Sequence, residues 1–167
     1  MNTKQILKRF KIALEIFYEK EKFLIDKQVS ERALTHKLAE HLQTLFPCYD
    51  VDCEYNKVDE GDPKRIMELM AGKLECPNDC SKCSAGKCVV FPDIIVHHRG
   101  KDDNLLVIEA KTEWNENSAN HDYEKLKALT SSNKYHYQLG ISFRFCDNYI
   151  KTIDSIEQYP KLTATQK

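Results

Sequence analysis

Hydrophobic residues recur at helical spacing along the first third of the chain. A stripe with charged residues between its members predicts a helix over residues 3–27: Ile6, Phe10, Ala13, Leu14 and Phe17. Ser30 is a good N-cap residue for a second helix. The apolar stripe of that helix ends before Pro47 and consists of Leu34, Leu38, Leu42 and Leu45. The pattern therefore predicts two consecutive amphipathic helices.

Beyond Pro47 the pattern changes to short alternating and apolar runs, which are typical of strands. The following elements are predicted in chain order: a strand at 51–55, a short helical stretch from Gly61 to about Leu74, a strand at 89–98, a turn at 99–103, a strand at 104–112, a polar helix at 120–131, a strand at 135–146 and a loose tail from Gln158. This order predicts an α/β fold in which helices flank a central mixed sheet.

Length and composition indicate the class of protein. The 167 residues are predicted to form one domain, 1–167, and 41% hydrophobic with 31% charged residues is typical of a globular protein. No apolar run approaches the roughly 20 residues that cross a bilayer, so no membrane span is predicted. The first residues lack an apolar export segment, so we expect a cytoplasmic location. A net charge of −1 means that any binding of nucleic acid must be local.

Two charged residues end the apolar strand at 104–112. Alternation puts Glu109 and Lys111 on the same face of this strand, whose positions 105–108 and 110 are apolar. If the preceding turn is centred on Lys101, position 93 pairs with position 109, because residue 101 lies midway between them. Asp93 is therefore expected to face Glu109 across adjacent strands.

Two carboxylates held this close repel each other unless a cation lies between them. Hard oxygen ligands select Mg²⁺ or Mn²⁺, and such a site can perform phosphoryl chemistry. Lys111 would orient the attacking water or help to deprotonate it, and would stabilise the charge of the transition state. The alternative for a lone Glu-x-Lys is a structural ion pair at the end of a strand.

The motif Pro92-Asp93, fifteen intervening residues and then Glu109-Ala110-Lys111 resembles the active-site motif of PD-(D/E)XK nucleases. The resemblance covers roughly residues 30–146 and implies a restriction-endonuclease-like core, of the kind seen in small bacterial members. It also implies that Asp93, Glu109 and the backbone carbonyl of Ala110 hold Mg²⁺ or Mn²⁺. In this family the lysine, here Lys111, assists catalysis.

Glu31 stands at the head of the apolar stripe of the second helix, three residues before Leu34 and seven before Leu38. An acid at the head of a buried stripe needs a reason. One reason is a favourable interaction with the helix dipole in the first turn. The resemblance implies another, because many members of the superfamily complete the metal site with a glutamate on the first core helix, and Glu31 matches that position.

Two polar groups are candidates for contacts with a phosphodiester backbone. One lies on the helix after the motif and comprises His121, Tyr123, Lys125 and Lys127; the other lies at the hairpin tip and comprises His97, His98 and Arg99. Plain surface residues are the commoner explanation for both groups. Trp114 and residues 115–120 are expected to form a loop near the mouth of the cleft, and Glu54 is expected to be an ordinary solvated strand residue.

Four cysteines lie in a polar insert at 75–88 that lacks apolar residues: Cys76, Cys80, Cys83 and Cys88. Four thiolates within thirteen residues suit a tetrahedral, structural Zn²⁺. An iron–sulfur cluster is the alternative metal group, and free thiols are the alternative without metal. The remaining cysteines are expected to be small core residues: Cys48, Cys53 and Cys146.

The sequence thus predicts a nuclease that hydrolyses phosphodiester bonds with Mg²⁺ or Mn²⁺. Its partner would be nucleic acid, with DNA favoured, and it would act as a homodimer or with a partner subunit. Two other classes stay open: a catalytically inactive binding module with the nuclease fold, and a structural zinc or iron–sulfur protein.

Overall fold

The computed structural model describes residues 1–55, 65–66, 83–84, 87–89, 91–115, 120–131 and 135–161. Five helices are present in this part of the chain: α1 Thr3–Lys20, α2 Lys22–Asp26, α3 Glu31–Leu45, α4 Asn120–Ser131 and α5 Tyr149–Asp154. The strands are β1 Asp50–Cys53, β2 Arg65–Ile66, β3 Cys83–Ser84, β4 Lys87–Val89, β5 Ile94–His97, β6 Asn104–Thr112, β7 Leu139–Phe145 and β8 Glu157–Pro160.

The main sheet has five strands in the order β1-β5-β6-β7-β8. β6 and β7 run parallel, whereas the other neighbouring pairs are antiparallel, so the sheet is mixed. A small three-stranded sheet has the order β2-β4-β3. The predicted α/β class, with a mixed sheet flanked by helices, is confirmed.

Alternation along the central strands separates two cores. Ile108 and Ala110 of β6 belong to the larger core, together with the apolar stripes of α1 and α3. Val107 belongs to the smaller core, where Leu126 and Leu129 of α4 are buried. The helices thus cover both faces of the sheet, and β6 is buried between them.

The first predicted helix is interrupted. α1 ends at Lys20, and Glu21 (φ −110°, ψ 18°) separates it from the short α2. Neither glycine nor proline is present there, so no breaker residue announces the interruption. The predicted helix from Ser30 to the residues before Pro47 is confirmed, and the Ser30 hydroxyl accepts a hydrogen bond from the Ala33 N–H.

Several other expectations about local structure were wrong. Residues 65–66 form β2, where a helical stretch was predicted, because they pair with β4. The predicted strand at 89–98 is divided between β4 and β5. The supposed loose tail contains β8, whose mostly exposed residues lack an apolar alternation and are ordered by pairing with β7. The short α5 was not predicted.

One of the three cysteines outside the insert was also misjudged. Cys146 is buried and Cys53 is half-buried against the larger core, as expected, whereas Cys48 is exposed. Cys48 lies just after the end of α3, in the turn that leads into β1. Among the helices of the described ranges, none is long and apolar enough to span a membrane.

Candidate active site

The predicted register of the β5–β6 hairpin is confirmed. Ile94 pairs with Ile108 and Ile95 with Val107, so continuing the ladder by one residue places Asp93 opposite Glu109. Asp93 lies just before β5, with both its backbone and its side chain held. Its carbonyl accepts a hydrogen bond from the Glu54 N–H at 3.2 Å, and its Oδ2 accepts one from the Ala110 N–H at 2.8 Å. The side chain is thereby fixed at the end of the motif strand.

Glu109 is an almost completely buried acid, with 2% of its surface exposed. Its Oε2 accepts a hydrogen bond from Lys125 Nζ at 2.6 Å, whereas its Oε1 has no hydrogen-bond partner among the residues described. Burial raises the pKa of Glu109 well above its usual range, and Asp93 and Asp122 raise it further, although Lys125 opposes them. A buried carboxylate with one free oxygen is an unsatisfied ligand.

The side chain of Lys111 lies between α3 and α4. Its Nζ is 3.3 Å from Asp122 Oδ2 on α4 and 3.4 Å from Glu31 Oε1 on α3. It also donates to the Ala110 carbonyl at 3.2 Å. Burial lowers the pKa of Lys111, but the negative charges of Asp122, Glu31 and Asp93 outweigh burial and raise it overall. The amine is therefore held in its charged form.

Glu31 is the first residue of α3, and the stripe that it heads does face the larger core. Its Oε2 is buried and has no hydrogen-bond partner within the described chain. Burial raises the pKa of Glu31, and Asp93 and Asp122 contribute in the same direction, although Lys111 opposes them. Glu31 is thus close to the motif residues, and the dipole of α3 is not its sole partner.

Asp122 was missed by the sequence analysis, and Lys125 was considered only for contacts with a backbone. Asp122 is 8% exposed, and its Oδ1 is 4.0 Å from Lys125 Nζ. The available signal was the one that identified Glu31. Asp122 precedes Leu126 by four residues and Leu129 by seven, so it heads the buried stripe of its helix.

The six side chains form a cluster with more acids than amines. Its members are Glu31, Asp93, Glu109 and Asp122 with Lys111 and Lys125. With all groups ionised the charge is 2 − 4 = −2. Burial raises the pKa of Asp93 too, against the Ala110 N–H and the two lysines. A divalent cation would bring this cluster to neutrality.

The described residues contain no ready-made group of three or more His, Cys, Asp or Glu side chains able to hold a metal ion. In the cluster, Lys125 contacts Glu109 and Lys111 contacts Glu31, so ammonium groups stand among the carboxylates. The donor set is nevertheless made of hard oxygens, which suit Mg²⁺ or Mn²⁺. Glu31 Oε2 and Glu109 Oε1, which have no hydrogen-bond partner among the described residues, are oxygens to which such an ion could bind.

The hairpin-tip residues do not join this cluster. His97 is 4% exposed, and its Nε2 is 2.9 Å from Asp52 Oδ2. Arg99 Nε donates to the same oxygen at 2.8 Å. The ring of His98 stacks on Tyr49 with centroids 4.4 Å apart. These contacts attach the hairpin to β1, so the expectation that all three residues are ordinary surface residues was wrong for His97.

Asp52 is expected to stabilise the fold in a pH-dependent way. Burial raises its pKa, but hydrogen bonds from Arg99 and His97 outweigh burial and hold the pKa below the usual 3.8. The stabilisation is therefore complete above that value and is lost as pH falls through the lower folded-state pKa. Asp52→Asn should reduce the free energy of unfolding by about 1–3 kcal/mol at pH 7, and by less below about pH 4.

Urea denaturation of both proteins from pH 3 to pH 8 measures this difference. A matched control is Asp102→Asn, since Asp102 is exposed in the hairpin turn. A deficit of Asp52→Asn that stays the same from pH 7 down to pH 3 would contradict the assignment.

A cavity of about 540 Å³ adjoins the cluster. Glu31 and Asp93 line it on one side, and Trp114 and Asn115 contribute to its wall. Glu54 also lines it, with φ at +50° and a salt bridge of 2.6 Å to Arg32. Glu54 is exposed, as expected for a solvated residue, but it lies just after β1 and is paired with Arg32 at the cavity. Trp114 and Asn115 lie beside the site as predicted, and residues 116–119 of that loop lie outside the described residues.

The structure describes only some of the remaining residues that the sequence singled out. Tyr123 and Lys127 are exposed on α4, and Lys127 Nζ lies 5.6 Å from the centroid of the Tyr123 ring. In the cysteine insert, the backbone register pairs Cys83 directly with Cys88. Cys76 and Cys80 lie outside the described residues.

Comparison with family models, curated proteins and solved structures finds no match to this chain.

Proposed function

We propose that this chain is a metal-dependent nuclease of the PD-(D/E)XK kind, with a restriction-endonuclease-like core, that hydrolyses phosphodiester bonds in DNA. The observation that carries the proposal is the acid-rich cluster at the end of β6. Within the described part of the chain, two acids there each keep a buried oxygen without a hydrogen-bond partner, and the nearby acids raise the pKa of Lys111. Such a combination of carboxylates and an amine suits the binding of a divalent metal ion and the hydrolysis of a phosphate ester.

Each member of the cluster has a role in this proposal. The ligands would be Asp93, Glu109, Glu31 and the Ala110 carbonyl. Bound Mg²⁺ or Mn²⁺ would neutralise charge on the phosphate and lower the pKa of an attacking water. Lys111 acts as a hydrogen-bond donor to the reacting phosphate, because its raised pKa keeps it protonated and makes it a poor base. Asp122 positions Lys111 through their 3.3 Å contact.

Incubation of the purified chain with labelled single-stranded and duplex DNA and RNA tests the activity. Cleavage is expected with Mg²⁺ or Mn²⁺ and is expected to stop with a chelator, since the carboxylates alone cannot neutralise the transition-state charge. Cleavage that persists in the chelator, or that is absent with every nucleic acid and both metals, would contradict the proposal.

The cysteine insert is proposed to hold a structural Zn²⁺, with an iron–sulfur cluster as the alternative. The β3–β4 register supports this for two ligands, since it makes Cys83 and Cys88 cross-strand neighbours. Metal analysis and the visible absorption of freshly purified protein separate the two groups. We also propose that the protein acts in the cytoplasm, as a homodimer or with a partner subunit.

A second candidate is a non-catalytic binding module with the same fold. The contact of Lys125 with Glu109 at 2.6 Å favours it, because an ammonium group already neutralises one of the proposed ligands. Calorimetric titration with Mn²⁺ distinguishes the two candidates. Heat of binding that disappears in Glu109→Gln supports the nuclease, whereas no binding to the intact protein supports the module.

A further inference from the structure

The cavity beside the acidic cluster has the size and lining of a pocket for one small organic group. Its volume of about 540 Å³ lies within the roughly 300–1,000 Å³ of pockets that hold small ligands. Trp114 provides an aromatic wall, while Gln28 and Asn115 provide amide groups. Among the described residues neither amide side chain has a hydrogen-bond partner, so both are available to a ligand.

The charge of the cavity walls favours one part of a nucleotide over the others. Its walls carry the carboxyl groups of Glu31, Glu54 and Asp93. Among the described residues that line it, Arg32 is the one cation, and it is paired with Glu54 at 2.6 Å. A phosphate group would be repelled from this interior, whereas a neutral nucleobase would not. The flat face of a base can stack on tryptophan whatever the base is.

The cavity lies next to the acidic cluster, and this placement determines which base of a bound strand could enter it. Glu31 and Asp93 belong both to the cavity wall and to the cluster proposed to act on the phosphodiester. A strand whose phosphate lies at that cluster therefore has a neighbouring nucleotide at the cavity mouth. A base paired within a duplex is stacked and cannot enter a recess of this size without leaving its helix.

We infer that this cavity is a binding site for one unpaired nucleobase, so that the substrate is a single strand or a strand end with unpaired bases. The inference rests on the proposed nuclease function and narrows its substrate class. Trp114 is the stacking residue, and Gln28 and Asn115 contact the edge of the base. The phosphodiester next to the bound nucleotide is the bond presented to the acidic cluster.

The single tryptophan of the chain provides a direct signal. With Ca²⁺ in place of Mg²⁺ and Mn²⁺, an ion that suits the same oxygen ligands, and with the oligonucleotide verified as intact after each titration, we would titrate the protein with oligothymidylate, with a blunt duplex of equal length and with thymidine monophosphate. Saturable quenching of Trp114 by the single strand is expected, with at least tenfold weaker binding of the duplex. Equal binding of the duplex would overturn the inference. Monophosphate binding as tight as that of the strand would also overturn it, in favour of a free nucleotide as ligand.

Variants separate stacking from folding, and labelled oligothymidylate reports binding where the tryptophan is absent. Trp114→Leu should bind the strand about 5- to 150-fold more weakly, the range expected for loss of one stacking contact. Trp114→Phe should retain most of the affinity. Because Trp114 also packs against the larger core, the exposed pair Gln28→Ala and Asn115→Ala provides a second test without loss of apolar packing. Phe23→Leu is the matched control, since Phe23 is 68% exposed and lies outside this cavity.

Hydrolysis distinguishes this inference from the function on which it rests. Cleavage of duplex and single strand at equal rates with Mn²⁺, unchanged by Trp114→Leu, would overturn the nucleobase site and leave the nuclease intact. Absence of cleavage with any substrate would overturn both. Preference for the single strand that Trp114→Leu removes would support both.

Discussion

Replacement of Lys111 by methionine is expected to reduce the rate of phosphodiester hydrolysis by roughly 10²- to 10⁴-fold. Methionine retains most of the length and apolar stem of lysine, so the change removes the charged amine and little else. The expected loss corresponds to about 3–5 kcal/mol of transition-state stabilisation. Asp93→Asn should cause a loss of similar size, because it removes the negative charge of a proposed metal ligand while keeping the shape of the side chain.

Single-turnover cleavage of a labelled oligonucleotide with saturating Mn²⁺ measures this effect, since it separates chemistry from product release. Lys101→Met is the matched control, because Lys101 is exposed in the hairpin turn and its loss removes the same charge. Circular dichroism and urea denaturation verify that each variant is folded. If Lys111→Met and Lys101→Met cleave at the same rate, Lys111 has no part in the chemistry.

Replacement of Lys125 by methionine is expected to lower the free energy of unfolding by about 3–5 kcal/mol in metal-free buffer near neutral pH. Lys125 is the cation nearest to Glu109, at 2.6 Å, and Glu109 is 2% exposed. Its removal leaves a buried carboxylate uncompensated. The pKa of Glu109 is already raised by burial. The cost of an ionised Glu109 is therefore present above its folded-state pKa and disappears as pH falls below the unfolded value of 4.5.

Urea denaturation with and without Mn²⁺ tests this second expectation. Mn²⁺ should stabilise Lys125→Met more than the unchanged protein, because the ammonium no longer competes for Glu109. At a Mn²⁺ concentration 100 times the dissociation constant, the free energy of unfolding of Lys125→Met should rise by about 2.7 kcal/mol. Adding Glu109→Gln should recover much of the loss. Lys127→Met on the same helix, whose lysine is exposed, should cost less than about 1 kcal/mol. A Lys125→Met protein as stable as the Lys127→Met control would contradict the proposed pairing.

Lys111 and Lys125 belong to the same acid-rich cluster. A cluster with two more acids than amines is costly to bury without a cation, and the lysines reduce that cost in the protein alone. The same lysines occupy carboxylates that a divalent ion would use. In the described ranges, one buried oxygen of Glu31 and one of Glu109 have no hydrogen-bond partner, so these two oxygens stay open to a cation while the protein is folded.

The central hairpin is the part of the site that local sequence determined. Alternation predicted the bounds of β6 and the faces of Glu109 and Lys111, since the side-chain period of a strand is two. A turn centred on Lys101 predicted the register that brings Asp93 opposite Glu109, and the ladder from Ile94 to Val96 has this register, although a bulge between Val96 and His97 shifts the pairing by one residue next to the turn. Glu31 was found in the same way, because the helical period places it at the head of a buried stripe. Each of these features depends on residues that are close in the chain or on one element.

The partners of those residues were decided only by the tertiary structure. Asp122 and Lys125 reach Lys111 and Glu109 because Leu126 and Leu129 of α4 pack in the same core as Val107 of β6. No spacing in the sequence specifies that approach. β8 likewise is ordered by hydrogen bonds to β7, since its own mostly exposed residues carry no apolar pattern. The local periodicities thus determined which side chains face the core, and packing between distant elements decided which charges meet there.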